Sequence, residues 1–163
     1  MTDRDLAQAW LTAARDARIA AELEAVYAYI AAAIESRGPA CWASGRCCNF
    51  DAAGHRLYTT GLETAYMVAR LEAPSRLSHE TLAAAHARGG CPFQTDNLCG
   101  VHRIKPLGCR VYFCDRSAQA WQQDLTERAL SQVRAIHDRH ALEYRYGEWR
   151  GMLGLFLAPV IRS

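Results

Sequence analysis

Residues 3–36, DRDLAQAWLTAARDARIAAELEAVYAYIAAAIES, decide the fold class. Alanine is abundant, and neither glycine nor proline interrupts the run before Gly38-Pro39. Leu23, Val26, Tyr27, Ile30 and Ile34 recur at steps of three and four, and Leu6 and Trp10 repeat that spacing earlier. This is the apolar stripe of an amphipathic helix. Thr2 or Asp3 supplies a cap, Gly38-Pro39 supplies the stop, and the polar stretch Arg15 to Arg18 is where the helix can break.

The other end of the chain reads the same way. From Asp115 or Ser117 a long helix is predicted to about Tyr144, with Trp121, Leu125, Ala129, Val133 and Ile136 as its apolar stripe. After Gly147 a short apolar helix is predicted over 148–157. In the middle, Thr60-Gly61-Leu62-Glu63 matches a capping box and opens a helix to about Leu71, ended by Pro74. Ser78 caps a helix to Ala87, stopped by Gly89-Gly90. Residues 41–60 read as a loop with at most a short strand at 56–59. Residues 91–114, punctuated by Pro92, Gly100, Pro106 and Gly108, read as irregular. The expectation is a mainly α, single domain over 1–163. Long N- and C-terminal helices form a scaffold that carries two irregular cysteine-rich loops.

Composition narrows the class. The 163 residues are half apolar, 22% charged and near neutral at +2, which suits one compact soluble domain and gives no sign of a polyanion-binding surface. No nucleic-acid or membrane partner is expected. The first residues, Met-Thr-Asp-Arg-Asp, lack the apolar core of a secretory signal. The longest apolar stretch, Met152 to Ile161, holds Gly154 and Pro159 and is about half a bilayer span. A cytoplasmic location is therefore expected.

Seven cysteines lie between residues 41 and 114 and none outside: Cys41, Cys47, Cys48, Cys91, Cys99, Cys109 and Cys114. An odd count in a chain expected to be cytoplasmic argues against a disulfide framework and for metal or redox chemistry. Thiolates are soft donors for zinc and for iron–sulfur clusters. Beside them, Gly45, Pro92, Gly100, Pro106 and Gly108 permit tight turns that aim sulfurs at one point and offer backbone N–H groups to them. Ordering a loop costs about 1–2 kcal/mol per residue, and neither loop has the apolar periodicity to offset that. A structural zinc site contributes on the order of 10 kcal/mol. Cys47, Cys48, Cys91, Cys99 and Cys109 are the favoured ligand core, followed by Cys114 and Cys41. Adjacent Cys47 and Cys48 can serve one centre only if the backbone kinks between them.

The first group, Cys41-Trp-Ala-Ser44-Gly-Arg-Cys47-Cys48, and the second, Cys91-Pro-Phe, Cys99-Gly-Val101-His102 and Lys105-Pro106-Leu-Gly-Cys109-Arg110, resemble the YkgJ-type cysteine-cluster family. That family is the zinc- or iron-chelating domain with a C-x-x-C-x-x-C-C motif. The resemblance covers about residues 40 to 114, and Thr60 to Glu63 resembles the family's T-x-x-E segment. Ser44 stands in place of the second cysteine, His102 where tyrosine is usual, and Lys105 where arginine is usual. The resemblance implies a bound metal, and the same signature occurs in bacterial flagellin lysine methylases. With Ser44 the chain has no C-x-x-C knuckle, which tips the expectation toward an iron–sulfur cluster over zinc. A cluster would imply electron transfer or redox sensing with an unknown redox partner. Zinc would imply a structural interaction module. A metal-dependent modifying enzyme is the rival from another class, although the chain has no glycine-rich cofactor loop, P-loop or H-E-x-x-H motif.

Other residues carry two readings. Arg110 and Lys105 either offset the thiolate charge or lie on the surface. His102 is either a nitrogen ligand or a polar loop residue. His137, His140 and Glu143 fall on neighbouring helical turns and could hold a second metal, although exposed helical histidines are common. Tyr144, Tyr146 and Trp149 are expected to close the core.

Overall fold

The computed structural model describes residues 1–38, 45–112 and 116–158. Cys41, Ser44 and Cys114 lie outside the described residues, as do the proposed cap Asp115 and the C-terminal residues from Pro159 onward.

The N-terminal helical run is two helices, α1 (Asp3–Arg15) and α2 (Ala17–Arg37). Thr2 and Asp5 form a reciprocal capping box at the start of α1. The chain breaks at Asp16 because its carboxylate accepts from the N–H groups of Arg18 and Ile19, 2.9 and 3.1 Å away. That bond favours a new helix start over a continued turn. Gly38, at φ +64°, closes α2.

A short helix α3 (Phe50–Ala53) follows, then β1 (Tyr58–Thr60), α4 (Gly61–Ala69) and α5 (His79–Arg88). Both Thr60 and Ser78 cap as their sequences predict, and Gly89 ends α5. The stretch expected to be irregular contains local order: β2 (Gln94–Thr95) and β3 (Leu98–Cys99), then α6 (Leu107–Val111). The β2–β3 hairpin forms because Asp96 and Asn97 both adopt positive φ, 48° and 65°, as a two-residue hairpin turn requires.

The late helix α7 (Gln119–Arg139) stops short of the predicted Tyr144. Ala141 takes φ 51° and the Leu142 N–H returns to the His137 carbonyl at 2.9 Å. The chain then reverses into β4 (Tyr146–Glu148), which pairs antiparallel with β1 in the register Tyr58↔Glu148 and Thr60↔Tyr146, before α8 (Trp149–Gly154). Periodicity could not show β4, because three residues acquire a strand only from their partner.

The molecule is mainly helical, and two apolar cores hold it together. In the first, α1 packs on α4 and α2 on α7 around Trp10, Leu23, Ile30, Leu62, Val133 and Ile136. Gly61 is needed here: a Cβ would come within 2.3 Å of the Trp10 ring. Trp10 also donates its indole N–H to the Glu143 carbonyl at 2.9 Å, tying α1 to the turn after α7. The second core joins Phe50, Leu57, Met67, Leu82, Phe93, Trp149 and Leu153 to the cysteines. Among the described residues, no helix is long and apolar enough to cross a membrane.

Candidate metal centre

The cysteines reach one place because three short segments are fastened to one another. The first is the turn 45–49, in which Cys48 N–H and Asn49 N–H both bond the Gly45 carbonyl. Gly45 has φ +72°, and a Cβ would collide with the Asn97 side chain at 1.9 Å, so only glycine lets the turn sit on the hairpin tip. Gln94 Nε2 donates to the Gly45 carbonyl at 3.3 Å from the hairpin side. The second segment is 89–91. Cys91 N–H donates to the Cys48 carbonyl at 2.9 Å, and Asp51 N–H to the Gly89 carbonyl at 3.0 Å. These two bonds run the cysteine-bearing turns side by side.

The third segment is α6, which carries Cys109. It is anchored by Glu63, whose buried carboxylate accepts the Leu107 N–H at 2.7 Å and the Tyr27 hydroxyl at 3.4 Å on one oxygen. Its other oxygen accepts the Thr60 N–H and hydroxyl at 3.2 and 2.9 Å. Burial pushes the Glu63 carboxyl above its ordinary range, against these four donors, which favour the charged form. The capping-box glutamate of α4 thus also holds the start of α6.

The sulfurs meet unequally. Cys48, 5% exposed, packs in the second core with Cys47, Cys91 and Cys99, and its side chain interacts with all three. Cys109 lies within electrostatic reach of Cys47, Cys91 and Cys99. The Trp149 indole N–H donates to the Cys91 sulfur at 3.4 Å. The S–H of Cys48 draws Cys47 and Cys99 down to about 6, with Lys105 contributing to both. It lowers Cys91 too, helped by the Phe93 N–H and Trp149. Cys48, the donor of those bonds, is pushed up, first through its contact with Cys47. Burial, then the neighbouring thiolates, push Cys109 up.

Among the described residues, no three Cys, His, Asp or Glu side chains stand as a ready ligand set around a common point. The sulfurs are arranged as a hub and spokes, with Cys48 at the hub.

The centre is not sealed. A cavity of about 490 Å³ runs along α2 past Tyr27, Ile30 and Ile34 to Cys47, Cys48, Cys99 and Cys109. A second, of about 300 Å³, reaches Cys47 and Cys109 from the side of Tyr58 and Tyr146. A third, of about 380 Å³, reaches Cys99 beside Arg76.

The cations take different places. Lys105, the chain's only lysine beside 18 arginines, has its amine 3.2 Å from His102 Nε2. Its charge, with burial and Arg110, keeps His102 below the usual histidine value. Arg110 is half-buried and lines the 490 Å³ cavity together with Cys47, Cys48, Cys99 and Cys109. It donates to the Lys105 and Arg103 carbonyls at 2.8 and 3.1 Å and stacks over the Tyr27 ring at 3.8 Å. It braces the loop before α6.

The second expected site does not assemble. His137 is buried with Nδ1 3.0 Å from the Glu143 carbonyl, and its Nε2 has no hydrogen-bond partner among the described residues. His140 turns to the Glu22 carboxylate at 2.9 Å, beside Arg139, while the Glu143 side chain is exposed. The helix ends at Arg139, so the helical spacing that would align the three is lost. Tyr146 is exposed, Tyr144 is half-buried with its ring edge-on to the buried His137, and Trp149 closes the second core, where it also touches sulfur. Nothing local in the sequence marks Trp149 as a sulfur contact.

No protein-family model, curated protein or solved structure matches this chain.

Proposed function

We propose that this chain is a metal-binding protein whose centre is held by the thiolates of Cys47, Cys48, Cys91, Cys99 and Cys109, with Cys41 and Cys114 as further donors. The observation that carries this reading is that Cys47, Cys48, Cys91, Cys99 and Cys109, from separate stretches of chain, pack in one apolar cluster, where the Cys48 sulfur interacts with those of Cys47, Cys91 and Cys99. Seven cysteines confined to the middle of the sequence and the resemblance to the YkgJ-type signature support it.

An iron–sulfur cluster is the leading occupant. More cysteines are present than one tetrahedral ion uses, and a cavity opens beside four of them. Its role would be electron transfer or redox sensing in the cytoplasm with a protein or redox partner. Zinc is the second reading. Tetrahedral zinc needs four donors, and five described cysteines pack in the second core. Structural zinc sites are closed, however, and this one is open on three sides. That openness also keeps the rival reading, a metal-dependent modifying enzyme related to flagellin lysine methylases. The Trp149 N–H and the Lys105 charge would support a bound centre by drawing electron density from sulfur.

Anaerobic purification, a visible spectrum and iron, sulfide and zinc per chain test the proposal. Brown protein with matched iron and sulfide supports the cluster. Colourless protein with one zinc supports the second reading. Folded protein without either metal overturns both.

A further inference from the structure

The five described sulfurs differ in what surrounds them. Cys99 is half-buried and lines two cavities, so solutes reach it. Cys48 is buried, lines the same 490 Å³ cavity as Cys99, packs in the same cluster and interacts with it side chain to side chain. Cys91 also interacts with Cys48, but it lines none of the three cavities and its sulfur holds the Trp149 N–H. Cys47 is accessible and interacts with Cys48, but a bond between adjacent residues closes a small strained ring. Cys109 is held close to Cys91, Cys99 and Cys47, with which it interacts through charge. Cys99 and Cys48 thus pair an accessible sulfur with a buried, non-adjacent one that it meets side chain to side chain.

We propose that Cys99 and Cys48 form a peroxide-sensitive thiol pair, Cys99 the sulfur attacked and Cys48 the resolving thiol, and that their disulfide empties the metal centre. The Cys99 sulfur attacks one oxygen of hydrogen peroxide. An S–O bond forms as the O–O bond breaks, giving a sulfenic acid and hydroxide, which becomes water with the proton lost from Cys99. The Cys48 sulfur then displaces the sulfenic hydroxyl, forming the S–S bond, and the Cys48 proton leaves in a second water. Two thiols and one peroxide yield one disulfide and two waters, with two electrons passing from sulfur to oxygen; where the two sulfurs start as metal-bound thiolates, solvent supplies the two protons and the metal leaves unreduced. The disulfide joins the 45–49 turn to the β2–β3 hairpin and withdraws two donors, one of them the hub. The loss of metal rests on the function proposed above; the disulfide does not.

The test uses the full-length protein as isolated without oxygen. It is treated with one equivalent of hydrogen peroxide, quenched with catalase and alkylated in acid. Cleavage before Asp51 and Asp96 separates Cys91 from Cys99, and tandem mass spectrometry distinguishes Cys47 from Cys48. The expected product is a Cys48–Cys99 disulfide in most chains, reversed by dithiothreitol, with metal released in step. Cys48→Ser should leave Cys99 as sulfenic or sulfinic acid. A dominant disulfide elsewhere, or overoxidised Cys99 in the unsubstituted protein, overturns the proposal without any need for the variant. If the isolated protein holds neither iron nor zinc, the metal reading fails while the disulfide map still decides the thiol pair. If it holds metal and retains it after the disulfide closes, the coupling is overturned and the metal reading stands.

Discussion

Around Trp10 and around Trp149 lie two cores made by different means. The Trp10 core is built by helices long enough to declare their own apolar faces, chiefly α1, α2 and α7 with α4 between them. The Trp149 core is built by turns, two-residue strands and helices of four to six residues (α3, α6 and α8), beside α4 and α5. In the first core, burial of continuous stripes supplies the stability. In the second, Cys48 and Cys91 are buried among Phe50, Leu57, Met67, Phe93, Trp149 and Leu153, and backbone bonds such as Cys91 N–H to the Cys48 carbonyl join the short segments.

The largest expected difference follows from removing the proposed metal. Chelation under anaerobic, reducing conditions should abolish hydrogen-exchange protection over 45–49 and 91–111 and leave α1, α2 and α7 protected. Uniform loss would show a single cooperative unit, and no change would show that no metal contributes.

Next in size is Trp10→Ala. It empties a fully buried site and removes the bond to Glu143, so about 3–5 kcal/mol of stability should be lost in urea unfolding. A loss under about 1 kcal/mol would remove the Trp10 core from its leading place.

Glu63→Gln reads the joint between the cores. An amide cannot accept all four donors, so about 1–3 kcal/mol should be lost near neutral pH. The sign of the pH effect is separate. Burial raises the folded carboxyl above its ordinary 4.5, so the folded state binds more protons in the window upward from that value. Glu63 therefore contributes less stability as pH rises through that window, and the variant should show a flatter decline there. An unchanged slope in unfolding measured from pH 4 to 8 would count against this.

The smallest effect belongs to the surface of α7. Asp124→Ala breaks the exposed pair with Arg128, 3.0 Å apart, and should cost about 0.3–0.5 kcal/mol, vanishing in high salt.

The chain itself determined its helices and caps. Leu23 to Ile34 and Leu125 to Ile136 announce their stripes, and Thr60, Ser78, Gly38 and Gly89 mark ends, because these signals act within a few residues. It also determined that the cysteines gather in the middle. Only tertiary structure decided which sulfur is central, that Arg110 braces a loop, and that Trp149 caps Cys91. It also set His137 and His140 facing different partners. Those outcomes depend on contacts between residues dozens of positions apart, such as Cys91 N–H on the Cys48 carbonyl and Leu107 N–H on Glu63. No local periodicity encodes them, since a short segment takes its direction from what it is fastened to.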